Sequence, residues 1–395
     1  MSRFLKSMIV LLAIVAMATP VMAEDMLSLG GQMRVRGWYT DVDGSDSTNS
    51  FIDQRLRIGG KFNVADGVSV TFRTDFSEQQ WGQNPTLGRT GWQLDRSYLD
   101  LDFSAFHLRA GQLYAGYGMT QVINSESTGA KLTLKAIPLS FFVLLQDAND
   151  AFASGDDAFS RTVNESDSFL YAANYTLKGD AFKANFVVGG QHDGSDENVN
   201  VFSGDMTMNL DAVKIAAELD FFTGDADATT DAMGTQFFLD AALAASETMT
   251  VGGQFYYAQG ADTDGSEAQY TVLGNDFNGY DPLFDLGTSL SNEQIGVQRP
   301  FDFTDDNAGA IGARAYLKAK AGDAVSFGAS IAYMEPEEDA NTDIDSAMFY
   351  AVGMKYALMA HTSLHAQLQY TDLDINDPEA PDSITAAGVG LFVNF

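Results

Sequence analysis

The sequence predicts an all-β fold: a transmembrane antiparallel up-and-down β-barrel of about 18 strands, within a range of 16 to 18. Three observations predict it. Segments of about ten residues alternate apolar and polar side chains with a period of two, short and long connections follow one another in turn, and the last segment is apolar and ends on an aromatic residue. A soluble sandwich or propeller would also alternate. Its apolar positions, however, point into a core and require no fixed order of short and long connections.

The first element is not part of the barrel. A basic start at Arg3 and Lys6, an apolar run from Met8 to Met17 and the small-residue ending Val21-Met22-Ala23 form the pattern of a secretory signal peptide cleaved before Glu24. The apolar run is shorter than the roughly 20 residues that cross a bilayer as a helix. Residues 1–23 are therefore read as removed and 24–395 as one barrel domain. That leaves 20 Lys+Arg against 54 Asp+Glu, a balance that excludes nucleic acid as a partner. Hydrophobic residues at 45% and aromatics at 12% are too many for a solvated tail, so they must be covered. The chain has no cysteine, which removes disulfides, thiolate nucleophiles, iron-sulfur clusters and covalent haem.

The strands then follow in order. A first is expected at 31-40. In the second, 51-63, Ile52, Leu56, Ile58 and Phe62 share one face while Asp53, Arg55, Arg57 and Lys61 share the other. Beyond the tight turn Ala65-Asp66-Gly67, the third strand, 68-77, sets Val68, Val70, Phe72 and Phe76 against Ser69, Thr71, Arg73 and Asp75. The remaining strands are expected near 92-103, 106-114, 129-136, 139-147, 167-178, 180-191, 198-210, 213-222, 234-244, 248-259, 308-320, 324-334, 346-358, 361-372 and 382-395. An even count brings both termini to the end that holds the short turns, including Ile137-Pro138, Lys178-Gly179, Asp211-Ala212 and Ala321-Gly322-Asp323. The connections 41-50, 78-91, 115-128, 147-166, 223-233, 260-307, 335-345 and 373-381 then lie at the other end and carry most of the acidic surplus.

The last strand, Ala387-Gly388-Val389-Gly390-Leu391-Phe392-Val393-Asn394-Phe395, places Val389, Leu391, Val393 and Phe395 on one face. It resembles the closing strand of Gram-negative outer-membrane β-barrels of the porin kind. The resemblance implies an outer-membrane location, contact with outer-membrane lipid and lipopolysaccharide, and a role for Phe395 in the signal read by the barrel-assembly machinery. The segments "GQMRVRGWYT", "DQRLRIGGKFNV" and "LDRSYLDLDF" are similar to the alginate-export type of barrel, which implies 18 strands and an arginine-rich pore. General porins imply a homotrimer and alginate-export barrels a monomer; both states stay open. No distinct plug domain is read ahead of the first strand, unlike in an energised siderophore transporter.

Arg34, Arg36, Arg55, Arg57, Arg73, Arg96 and Arg109 fall on the face expected to line the lumen. A charge on the lipid face near mid-membrane would cost about 2–4 kcal/mol, so energetics and period agree. Farther round, Glu218, Asp220 and Asp240 project inward and would set a transverse field. Over all strands the inward positions hold 15 basic residues, among them Lys61, Lys131, Lys135, Lys183, Lys214, Arg314, Lys318 and Lys355, against eight acidic ones. The pattern suits a passive channel for small hydrophilic solutes with a lean toward anions; a channel dedicated to export or uptake of an anionic sugar or polysaccharide is the alternative, and pairing of the arginines with Asp53, Asp75, Asp100 and Asp102 is the plainer reading of the same residues.

The connection 260-307 carries Tyr270, Phe277, Tyr280, Phe284, Phe301 and Phe303, which fits either a constriction folded into the mouth or an external cap. The acidic runs at 41–46 and 262–265 lack the full spacing of a calcium loop. His361 and His365 have the spacing of helical zinc ligands, but four strand residues cover about 13 Å, too far to share an ion. No catalytic residue, metal or cofactor is assigned.

Overall fold

The computed structural model describes residues 26–43, 48–81, 93–147, 168–194, 196–274, 286–288, 290, 307–376 and 381–395. The expected signal peptide lies outside these residues, as do five of the six rings named in 260–307. Within them the strands are β1 (Leu27–Val42), β2 (Asn49–Ala65), β3 (Val68–Gln80), β4 (Gln93–Asp102), β5 (Phe106–Tyr117), β6 (Ile123–Leu134), β7 (Leu139–Asp147), β8 (Ser168–Lys178), β9 (Phe182–Asp193) and β10 (Glu197–Leu210). They continue with β11 (Val213–Asp225), β12 (Asp231–Ser246), β13 (Met249–Ala258), the three-residue β14 (Glu267–Gln269), β15 (Ala310–Ala321), β16 (Val325–Glu335), β17 (Ile344–Met359), β18 (Thr362–Ile375) and β19 (Ser383–Asn394).

Eighteen of these form a closed antiparallel barrel. Each pairs with its neighbours in sequence, and β1 pairs with both β2 and β19, so the sheet has no free edge. β14 stands apart, pairing in parallel with the start of β12. At one end, here the lower, all connections are two to four residues long, and Gly67 and Gly322 adopt positive φ there. Gly31 and Phe395 exchange backbone hydrogen bonds of 2.8 and 3.0 Å at the lower end, joining the end of the chain to the first strand.

The outward faces form an apolar belt. Val188, Phe202, Leu219, Ile331, Val352, Leu368 and Val389 are each more than 40% exposed, an arrangement that water would penalise and hydrocarbon favours.

The inner face departs from the expected polar lining in its upper half. Leu144 and Leu170, paired across β7 and β8, and Val201 and Phe222, paired across β10 and β11, point inward and are buried. They are covered because upper connections turn inward. The expected external loop 115–128 is one of these: β5 runs on to Tyr117 and β6 begins at Ile123, so only 118–122 connects them, and Val122 and Thr120 are buried inside the barrel. Leu273, in the long connection after β13, bridges to Ile123 and is buried beside it. Residues 286–288 and 290 lie against the inner surface of β16–β19. Leu286 and Thr288 take up the space that side chains at Gly328 and Gly353 would occupy, and Thr288 Oγ1 donates to Gln367 Oε1 at 2.6 Å.

Candidate functional site

Beneath these inward segments, the inner face of β1–β5 carries a connected array of charges. Arg36 on β1 makes a two-pronged pair with Asp53 on β2, at 2.8 and 3.0 Å, and Trp38 Nε1 donates to the same carboxylate at 2.7 Å. Arg36 is 1% exposed, so it braces the wall and does not meet solute. Arg34 stands opposite Arg55 in the β1–β2 register and is also buried. Arg57 grips Asp75 on β3 with two bonds of 2.6 Å, and Arg55 NH1 lies 3.8 Å from the same acid.

The sequence reading missed the centre of this array, Asp95. Strict alternation from the inward Arg96, Tyr98 and Asp100 sends Asp95 outward. In the β3–β4 ladder, however, Arg73 pairs with Arg96 and the next pair is Thr74 with Leu94, so Asp95 is an extra, bulged residue. A bulge re-aims a side chain, and here it turns a buried carboxylate onto Arg73, onto Arg57 NH2 at 3.4 Å and onto Arg96 Nε at 3.6 Å. Arg96 also lies over the Tyr114 ring, 4.9 Å from its centroid, and 4.0 Å from Glu126. Arg109 binds Asp100 at 3.1 Å beside His107 and covers the ring of Tyr98. Asp102 is less central than expected: it pairs with Lys135 in the lower turn at 2.6 Å.

The pairs are lopsided toward the lumen. The side chains of Arg57, Arg73, Arg96 and Arg109 are 25%, 25%, 30% and 42% exposed, whereas Asp75 and Asp95 are 7% and Asp100 13% exposed. Carboxylates form a back layer against the strands, and guanidiniums form the surface that water touches.

On the opposite wall the structure corrects two expected lining residues. Glu218 and Asp220 on β11 point inward but are 1% and 0% exposed, because segment 118–122 closes over them. The amides of Met119 and Thr120 and the Thr120 hydroxyl donate to Glu218, the last two at 3.2 and 2.5 Å. They serve as the seat of the inward segment and present no surface to the lumen. Asp240 on β12 keeps its place beside the lumen, lining a recess of about 510 Å³ together with Met119, Gln121, Lys214, Gln254, Arg314, Tyr316 and Lys318.

Among the other candidates, Phe395 is 61% exposed in the outward row with Val389 and Leu391, its ring beside Gly31. His361 sits in a lower turn at φ 61°, while His365 is buried inside the wall against Ser363 Oγ at 2.8 Å and the Phe392 ring. Of the acidic runs, 44–47 lie outside the described residues. Asp264 accepts from the Ser266 amide and hydroxyl at 2.8 and 2.6 Å, bonds that lower its pKa and fix a turn. Tyr270 donates to Glu197 at 3.1 Å, so the one described ring of that set faces the wall.

A sequence profile of the Gram-negative porin family matches residues 10–377, nearly the whole chain. The chain belongs to the Gram-negative porin family. Its members are outer-membrane channels, and this porin accordingly sits in the outer membrane with its short turns toward the periplasm. Solved structures similar to it include OccAB1 of Acinetobacter baumannii, 13% identical over 95% of this chain and 97% of that one with a TM-score of 0.60. OccK11 (OpdR) of Pseudomonas aeruginosa is 10% identical over 94% and 96%, with a TM-score of 0.59. An anion-selective porin from Comamonas acidovorans is 13% identical over 93% and 99%, with a TM-score of 0.51. At such identities the likeness is one of fold. No curated protein sequence matches the chain closely enough to count as a relative.

Proposed function

We propose that this porin is a passive aqueous channel for small hydrophilic solutes that leans toward anions, with Arg57, Arg73, Arg96 and Arg109 as the surface that meets the solute, Arg55 behind them beside Asp75, and Phe395 as its assembly signal. The observation that carries the reading is the layering of the β2–β5 charges, with exposed guanidiniums in front of sequestered carboxylates. A guanidinium bound through two N–H groups retains others for a passing anion, while the acid behind it has little surface for a cation. An ion pair in contact with water contributes only about 0–1 kcal/mol to stability, so stability alone accounts poorly for so many. The inward placement of 118–122, Leu273, 286–288 and 290 supports small solutes over a polysaccharide chain.

The test is the reversal potential of reconstituted channels in a salt gradient. Wild type should prefer chloride to potassium. The double change Arg55→Ala with Arg57→Ala strips Asp75 of the guanidiniums paired with it at 3.8 and 2.6 Å and should move selectivity toward cations. A cation-preferring wild type, or an unmoved double variant, would show the arginine array to be bracing only.

A further inference from the structure

We infer that Glu197, at the outer rim, is a positioning residue for the pore: it ties a strap, residues 266–274, to the inward segment 118–122, and the tie is firmer in acid. Glu197 is the first residue of β10. Its Oε1 accepts from the Tyr270 hydroxyl at 3.1 Å and from Gln191 Nε2 at 3.2 Å. Gln191 Oε1 in turn accepts from the Gly274 amide at 3.0 Å. One carboxyl group therefore fixes both ends of residues 270–274, directly at Tyr270 and through a glutamine at Gly274. Between those ends the Leu273 amide donates to the Val122 carbonyl, and the Leu273 carbonyl accepts from the Asn124 amide, each at 2.9 Å. A Cβ at Gly274, whose φ is 127°, would strike the Asn124 carbonyl, so the backbone comes nearer to the segment than a larger residue permits. The strap is anchored on the wall as well. β14 takes over the edge of β12 above Gln236, where β13 stops pairing, and the Tyr270 amide donates to the Met233 carbonyl at 2.7 Å.

The wall anchors are backbone contacts and do not titrate, whereas Glu197 is set among acids. Asp193 stands opposite it at the end of β9, with His192 next to Asp193. On the other side of β10, Asp225 of β11 is paired with Asp231 of β12, Asp227 lies in the connection between them, and the strap carries Glu267. Burial raises the Glu197 carboxyl above its ordinary value and Asp193 adds to the rise, while the bonds from Tyr270 and Gln191 and the field of His192 oppose it. Set free with the strap, the carboxyl returns to water and to its ordinary value. The tied state thus holds the proton more tightly, and by linkage acid favours it: the tie is firmest below the ordinary glutamate pKa and slackens as pH rises through the raised one. Protonation leaves the contacts intact, because both donors bond Oε1 and the proton has Oε2 to occupy.

The inference rests on the chain conducting ions and not on which ion it prefers. The experiment is single-channel recording of the reconstituted porin from about pH 4 to about pH 7, a span that begins near the ordinary glutamate pKa. Current noise should be least at the acid end and grow as the pH rises and the strap slackens. Glu197→Gln keeps an acceptor oxygen but has no proton to lose, and should abolish that growth. Asp193→Asn removes the neighbouring charge that adds to the rise, and should shift the profile to lower pH. A purely structural Glu197 would change the noise level in these variants without moving its pH dependence. Wild-type noise that is flat or falls as pH rises, or a Glu197→Gln channel that follows the wild-type profile, would each overturn the tie. If Glu197→Gln lacks the heat-shifted mobility of a folded barrel, Asp193→Asn decides, and an unmoved profile counts against the inference. A chloride-preferring channel whose noise ignores pH refutes the tie alone. A cation-preferring channel with Glu197-dependent noise refutes the anion lean and leaves the tie standing.

Discussion

Three guanidiniums, those of Arg57, Arg73 and Arg96, reach one carboxylate at Asp95. Arg57 has a second acid in Asp75; Arg73 and Arg96 depend on Asp95 more heavily. Asp95→Asn should therefore shift the reversal potential further toward anions and lower stability against urea by about 1–2 kcal/mol, a figure kept below that of a fully buried pair because the arginine heads are partly wet. Unchanged selectivity would mean that Asp95 is not felt at the pore surface. The same residue marks the limit of reading at this scale. Alternation was enough to put Arg55, Arg57 and Arg73 on one inner face, because period two holds wherever the ladder is regular. It fails at Asp95, since a bulge resets the parity of β4 and nothing in the local composition announces it. Glu218 and Asp220 were given the correct face but not their cover, which comes from a segment about a hundred residues earlier.

Among the elements, the most consequential is the five-residue connection 118–122. In sequence it reads as part of a longer outer loop, because Ser125, Ser127 and Thr128 lack the apolar alternation of a strand. In the fold those residues continue β6, and the connection is drawn inward by hydrogen bonds to Glu218. Each such bond contributes roughly 1 kcal/mol or more, so Glu218→Leu should free the segment, raise mean conductance and increase current noise, with Glu218→Gln intermediate because an amide oxygen can still accept. Conductance equal to wild type in Glu218→Leu would show that packing of Val122 and Ile123 suffices to hold it. The inward course of 286–288 and 290 was equally hard to read. Its signal lies in Gly328 and Gly353 on other strands, and a glycine in a strand has several explanations.

At the scale of the whole molecule, two charge distributions of opposite sign share one axis. The chain is strongly acidic, net −32 before any processing, with the surplus placed mainly in the outer connections, while the β2–β5 wall presents guanidiniums to the lumen. The Debye length is about 30 Å at 0.01 M salt and about 8 Å at 0.15 M. At low salt the acidic mouth is felt deep in the pore and opposes anion entry; at physiological salt it is screened and the nearby wall decides. Anion preference should accordingly be stronger at about 0.15 M than at 0.01 M. A preference that falls steadily as salt rises over this range would place the controlling charges at the mouth. Barrel class, strand number and the position of the closing strand were legible because they depend on periodicity and turn length, which are local. The filling of the upper lumen was not, because it depends on which distant surfaces happen to be smooth.

The amide and carbonyl of Phe395 are hydrogen-bonded to those of Gly31, which ties the timing of folding to the direction of synthesis. The first strand to emerge has no second partner until the last residue has been made and delivered, so the seam is the contact with the greatest separation along the chain and the slowest to be found. Throughout that interval β1 is an open edge, a template on which another chain could add. A chain lacking its final strand would not form a barrel one strand smaller in the same register; it would expose β1 and β18 together, two adhesive borders in place of a sealed wall.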